Sequence, residues 1–204
     1  MHNPELAYLV GMIVGKGYIV RGREDTEYRI EIPHKKQEVE GADTQLSVKA
    51  SLLDIKQRID PLIDTNMRVT TQTKGKTIIS FTKNHSSYLA TELNRMLIYN
   101  SYKDFRIPSD IFDATTDMKL EFLRGIADVT GHIRDGNKAF GKDYNHRVYI
   151  EIPVNWYLVV DICNLLKLVD VPVQSIDWGH PNFRDTNKTH YNKGKENYWW
   201  KEHQ

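Results

Sequence analysis

Residues 6–19 read LAYLVGMIVGKGYI. Apolar side chains fall at Leu6, Leu9, Val10 and Ile13, the spacing of one helix face. Gly11 and Gly15 stand four apart on a common face. A glycine inside a helix costs about 1 kcal/mol relative to alanine, so two of them need a structural reason. Close approach of a second helix backbone is one. Residues 120–133, LEFLRGIADVTGHI, are a matching partner. Both segments end in glycine, a ring and isoleucine: Gly17-Tyr18-Ile19 and Gly131-His132-Ile133.

Around this pair the chain has an ordinary globular composition. Its 204 residues suit one large or two small domains. Charged residues make up 27% and the apolar class 40%. The net charge of +1 is weak support for a nucleic-acid partner, although 28 basic residues are enough to crowd one face. The single Cys163 allows no internal disulfide, which fits a reducing cytoplasmic, intracellular setting. No secretory signal is read at the N-terminus, and apolar runs fall far short of the roughly 20 residues of a membrane span.

Taken in order, Asn3 and Pro4 predict a helix start and Gly17 its end. Strands are expected at 18–21 and 28–33, with Tyr28, Ile30 and Ile32 inward and Glu27, Arg29 and Glu31 outward. Residues 34–43 read as a charged loop, and 44–49 fit a strand or the lead into a helix. Leu52, Leu53, Ile55, Ile59, Leu62 and Ile63 mark an amphipathic helix with Pro61 near its end. A hairpin is expected over 67–73 and 76–82 around Lys74-Gly75. Its inward set is Val69, Thr71, Ile79 and Phe81; its outward set is Arg68, Thr70, Gln72, Lys76, Ile78 and Ser80. Tyr88, Leu89, Leu93, Met96 and Leu97 mark a helix, and 99–114 an irregular connector.

The order then repeats: a helix over 116–128, strands over 132–134 and 146–153, a helix over 155–168, and strands at 173–178 and around Tyr198-Trp199-Trp200. Ile150-Glu151-Ile152-Pro153 echoes Ile30-Glu31-Ile32-Pro33. The helix and strand echoes recur at offsets of roughly 114 to 120 residues, by subtraction, so an internal duplication is expected. Its parts are a first repeat over 1–98, a linker over 99–115 and a second repeat over 116–204. The second repeat lacks a recognisable last helix, so the chain is expected to stop mid-domain.

On these residues the chain resembles the LAGLIDADG family of homing endonucleases and related DNA-binding domains. The nine motif positions are Leu9-Val10-Gly11-Met12-Ile13-Val14-Gly15-Lys16-Gly17 and Leu123-Arg124-Gly125-Ile126-Ala127-Asp128-Val129-Thr130-Gly131. The resemblance implies an α+β fold. Two pseudo-twofold αββαββ(α) repeats would pack through the motif helices, with helices behind antiparallel sheets that form a saddle over double-stranded DNA. A two-stranded ribbon fits the major groove, about 12 Å wide, and the outward residue types suit base edges and phosphates.

The expected DNA-facing set is Lys16, Arg21, Arg23, Arg29, Arg68, Thr70, Gln72, Lys74, Lys76, Arg134, Lys138 and Arg147, with Asp177, His180, Arg184 and Lys188 from a late polar loop. In the family the eighth motif position is acidic and holds the catalytic metal. Here it is Lys16 and Thr130. A cation there repels Mg²⁺ and suits a phosphate oxygen instead. Asp128, at the sixth position, points elsewhere on the helix. The expectation is therefore sequence-preferring DNA binding, with no catalytic residue and no cofactor at the usual centre. The chain would be the recognition module of a larger restriction-type or mobile endonuclease, whose nuclease domain lies beyond residue 204. Three alternatives stay open: an active nuclease with a rearranged Mg²⁺ site, a transcriptional regulator, and a scaffold that kept only the fold.

Overall fold

Asn3 begins the first helix. Its side chain accepts from Leu6 N at 3.0 Å, and Pro4 occupies the first turn, where its missing N–H costs nothing. The computed structural model describes residues 3–38, 43–63, 67–72, 75–135, 146–174 and 176. Helix α1 (Pro4–Lys16) is buried on all sides from Leu6 to Gly15, so it forms the centre of the molecule. Helix α5 (Thr116–Thr130), capped by Thr115, lies directly against it.

The glycines set this contact. A Cβ on Gly11 would stand 2.1 Å from the Phe122 carbonyl oxygen and 3.1 Å from Ile126 N. One on Gly125 would stand 2.1 Å from the Tyr8 carbonyl oxygen and 3.0 Å from Met12 N. Gly125 therefore stands to Tyr8 and Met12 as Gly11 stands to Phe122 and Ile126. Such reciprocity is the mark of a twofold contact, here within one chain.

After α1 come β1 (Gly17–Arg21), β2 (Asp25–Pro33), α2 (Thr44–Ile63), β3 (Arg68–Gln72), β4 (Lys76–Asn84) and α3 (Tyr88–Met96). The strands form an antiparallel sheet in the order β1-β2-β4-β3. Period-two alternation buries Ile19, Tyr28, Ile30, Ile32, Ile79 and Phe81 on one face. Tyr28 stacks on Phe81 with ring centroids 5.1 Å apart and donates its hydroxyl to Asn94 Oδ1 at 3.1 Å; burial pushes that phenol up to about 12. Ile55, Ile59 and Ile63 of α2 and Leu89 and Leu93 of α3 complete this core.

Several expectations need correction. Residues 34–36 form a 3-10 turn rather than open loop, and Gln37 after it is buried, donating to the Asp128 carbonyl. Of the two readings left open for residues 44–49, the helical one holds, and Pro61 lies in the last turn of α2, as expected. Val69 and Thr71 share the inward face but stay exposed, because β3 is the sheet's edge. Tyr88 is 77% exposed and lies outside the core. The connector is not inert: Phe105, Ile107 and Ile111 are buried, the last in a one-turn helix α4 (Ser109–Phe112).

The second half runs α5, β5 (Gly131–Asp135), β6 (His146–Ile150) and α6 (Trp156–Leu168), the same helix–strand–strand–helix order as the first. β6 ends at Ile150 rather than Pro153, and residues 173 and 174 are not in a strand. The strand expected around Tyr198 lies outside the described residues. Asn155 caps α6 through its side-chain oxygen, which accepts from Leu158 N. Its amide donates to the Phe105 carbonyl at 2.8 Å, tying α6 to the connector. Arg106 grips the buried Asp161 of α6 through two hydrogen bonds of 2.6 and 2.7 Å. No described helix is long and apolar enough to cross a membrane.

Candidate nucleic-acid interface

The outward face of the four-stranded sheet follows from register. One row across it is Tyr18, Arg29, Ser80 and Arg68; the next is Glu31, Ile78 and Thr70; a third is Pro33, Lys76 and Gln72. Arg29, Arg68 and Thr70 are exposed, and Lys76 is half-buried. The face carries both signs. Arg29 pairs with Glu27 at 2.7 Å, and Lys76 with Glu31 at 2.9 Å. In the second half, register sets His132 beside Tyr149 and Arg134 beside Arg147, opposite in pleat to Ile133 and Val148. The two rings stack 5.2 Å apart.

Arg23 is exposed in the β1–β2 turn. Arg21 does not belong with the outward set. It shares the pleat of Ile19, and its guanidinium donates to the Leu97 and Tyr99 carbonyls, where it holds the end of α3. The backbones of Gln72, Arg134 and Arg147 are placed as stated, while Lys74, Lys138, Asp177, His180, Arg184 and Lys188 lie outside the described residues.

The two outward faces meet where α1 and α5 end, and the chemistry there was not foreseen from the sequence. Lys36, in the 3-10 turn of the first half, donates to Glu151 Oε2 at 2.6 Å and contacts His132 Nδ1 at 2.8 Å, both in the second half. Its ammonium is only 10% exposed at the side chain. Glu31 and Glu151, the acids of the two Ile-Glu-Ile-Pro echoes, thus each hold a lysine. That shared place in the echo was the signal available in the sequence.

Lys16 stands among these groups. Burial holds its ammonium below the usual lysine range; Glu31 and Glu151 oppose that, while Lys36 and Lys76 reinforce it. Its Nζ lies 5.0 Å from the centre of the Tyr102 ring. Tyr102 in turn meets Tyr18 edge-on at 5.2 Å, and burial pushes the Tyr18 phenol well up. Among the described residues Lys16 has no carboxylate partner at ion-pair distance.

Thr130 is fully buried, and its hydroxyl donates to the Ile126 carbonyl at 2.7 Å within its own helix. Asp128 lies on another side of α5. Tyr8 donates its hydroxyl to Asp128 Oδ2 at 2.7 Å, and the Arg58 guanidinium covers the Tyr8 ring at 3.9 Å. Burial raises the Asp128 carboxyl above its ordinary value despite that hydrogen bond. An ammonium and an internally satisfied hydroxyl do not fit a divalent cation, which requires oxygen ligands, usually carboxylates. The residues at the helix ends therefore do not suit the metal that the sequence resemblance implies.

No protein-family model and no curated protein sequence matches the chain significantly. Solved structures do. One described as a mesophilic variant of the homing endonuclease I-DmoI is 18% identical, with a TM-score of 0.46 over 81% of this chain and 76% of that one. A variant of I-DmoI in complex with its target DNA in the presence of 2 mM Mg is 16% identical, with a TM-score of 0.43 over 82% and 78%. The LAGLIDADG meganuclease I-AabMI bound to uncleaved DNA is 13% identical, with a TM-score of 0.44 over 86% and 75%. This chain is thus similar, at low identity, to LAGLIDADG homing endonucleases.

Proposed function

We propose that the chain binds duplex DNA with sequence preference and does not cleave it at the ends of its central helices. The observation that carries this reading is the meeting of two polar sheet faces, one from each half, around a cation with no described carboxylate partner. Arg29, Arg68, Thr70 and Lys76 on one face are the side chains set to meet a duplex, and Gln72, Arg134 and Arg147 occupy outward register positions of the two sheets. Their types recur in base-edge and phosphate contacts. Arg23 in the β1–β2 turn extends the same set; Lys74, Lys138, Asp177, His180, Arg184 and Lys188 are added to it from the sequence alone. The halves, 1–98 and 116–204, descend in this reading from a duplicated unit, and the chain serves as the recognition part of a larger endonuclease.

Against cleavage stand Lys16 and the internally bonded Thr130 hydroxyl. The test is selection from a random duplex pool followed by sequencing of what is retained. A long, weakly palindromic consensus is expected. Retention no better than for a protein without DNA affinity would end the proposal.

A further inference from the structure

The mismatch between the helix ends and a metal has a positive counterpart. Among the described residues, three ammonium groups, Lys16, Lys36 and Lys76, share one neighbourhood with two carboxylates, and each carboxylate holds a lysine: Glu31 pairs with Lys76 at 2.9 Å and Glu151 with Lys36 at 2.6 Å. Lys16 alone of the three has no described carboxylate at ion-pair distance. A half-buried cation without a counter-charge is costly unless an anion joins it. It is reachable, since its exposure is intermediate, and it sits where both sheet faces meet.

A lysine in the last turn of a helix has an ordinary role as well: it offsets the helix dipole, and here it rests on the Tyr102 ring. That role predicts an effect on stability alone.

We propose that Lys16, flanked by Lys36 and Lys76, forms a metal-independent site for a single phosphate group at the junction of the two halves. Resting on the DNA reading above, its occupant is one backbone phosphodiester. Charge neutralisation that a divalent cation would supply at this spot is supplied by the chain itself. Binding therefore proceeds unchanged in a chelator, and Lys16 contributes equally to every DNA sequence.

The test measures duplex affinity by fluorescence anisotropy across a salt series in EDTA, for the wild type, Lys16→Met and Lys16→Arg. Loss of one phosphate contact makes the slope of log affinity against log salt shallower by about 0.9 and weakens binding roughly tenfold near 0.1 M salt. Lys16→Met should show both changes and Lys16→Arg neither. Wild-type affinity and slope in Lys16→Met, with only its melting temperature lowered, would overturn the site and leave the helix-end role. If circular dichroism finds Lys16→Met unfolded, the same slope measured on Lys16→Gln decides.

A second arm separates this proposal from the DNA reading. Melting temperatures are compared in inorganic phosphate and in chloride of equal ionic strength. A rise in phosphate that Lys16→Met lacks supports the site even if no duplex binds, with free phosphate rather than DNA as its occupant. No rise, together with no duplex binding, removes both proposals.

Discussion

The two ends of the α1–α5 contact differ. Midway along the helices the contact is reciprocal: Gly11 faces the Phe122 carbonyl and Gly125 faces the Tyr8 carbonyl, with the same 2.1 Å left for an absent Cβ. At the helix ends the reciprocity is gone. Lys16 is a half-buried cation under a tyrosine ring, and Thr130 is a buried hydroxyl turned back onto its own helix. The difference separates two kinds of constraint. Backbone against backbone leaves no alternative to glycine, so both positions keep it. A side chain at a helix end needs only a satisfied environment, and two unlike solutions serve.

Substitutions at the glycines test the reciprocal end most severely. Gly11→Ala and Gly125→Ala should each cost about 3 kcal/mol or more, by similar amounts, because the new methyl meets a carbonyl that cannot move aside. Gly15→Ala should cost less, about 1 kcal/mol, since its nearest neighbours are the Val129 and Thr130 methyls. Urea unfolding measures all three. Unequal costs at Gly11 and Gly125 would break the comparison.

A smaller effect is expected where the second half is anchored. Arg106→Ala should cost about 2–3 kcal/mol, because among the described residues the buried Asp161 then keeps just the Ile107 N–H at 3.2 Å as a donor. A loss below about 0.5 kcal/mol would mean that α6 is held by its apolar face alone. Smaller again is the bridge between the halves. Lys36→Met removes the contacts to Glu151 and His132 and should cost about 1 kcal/mol. Thermal unfolding would show it as a single transition shifted downward; two separated transitions would mean that the halves depend on this bridge far more than the helix contact implies.

The smallest effect is a pH dependence. Burial raises the Asp128 carboxyl, so the fold holds this proton more tightly than the unfolded chain does. The resulting stability is complete below the unfolded value, about pH 4, and is lost as pH rises through the higher folded value. Asp128→Asn cannot ionise and should lose less stability than the wild type as pH rises above about 4. An identical pH profile in both proteins would place Asp128 in a more solvated setting than its Tyr8 contact indicates.

Most of the architecture was legible because it rests on short-range patterns. Helical spacing around Gly11 and Gly15, alternation in residues 28–33, and the Ile-Glu-Ile-Pro echo each carry their own physical cause. The failures share a cause too. The 3-10 turn at residues 34–36 has no strong local period; it sits beside a tertiary contact, Gln37 on the Asp128 carbonyl. Tyr88 matches the helical pattern yet is exposed, and Arg21 sits in a strand yet serves a helix end. The central charge cluster was the hardest to see. Lys16, Glu31, Lys36, Lys76, His132 and Glu151 come from six places in the chain, and only the fold brings them together.

In the proposed reading the helix pair packs through its glycines while its ends carry cationic rather than metal-dependent chemistry. A supercoiled plasmid bearing the selected site, incubated with the protein and Mg²⁺ or Mn²⁺, tests it most directly. The plasmid should stay intact at protein concentrations that shift it completely on a gel. Nicked or linear product that depends on the divalent ion and disappears in Glu31→Gln or Glu151→Gln would contradict it.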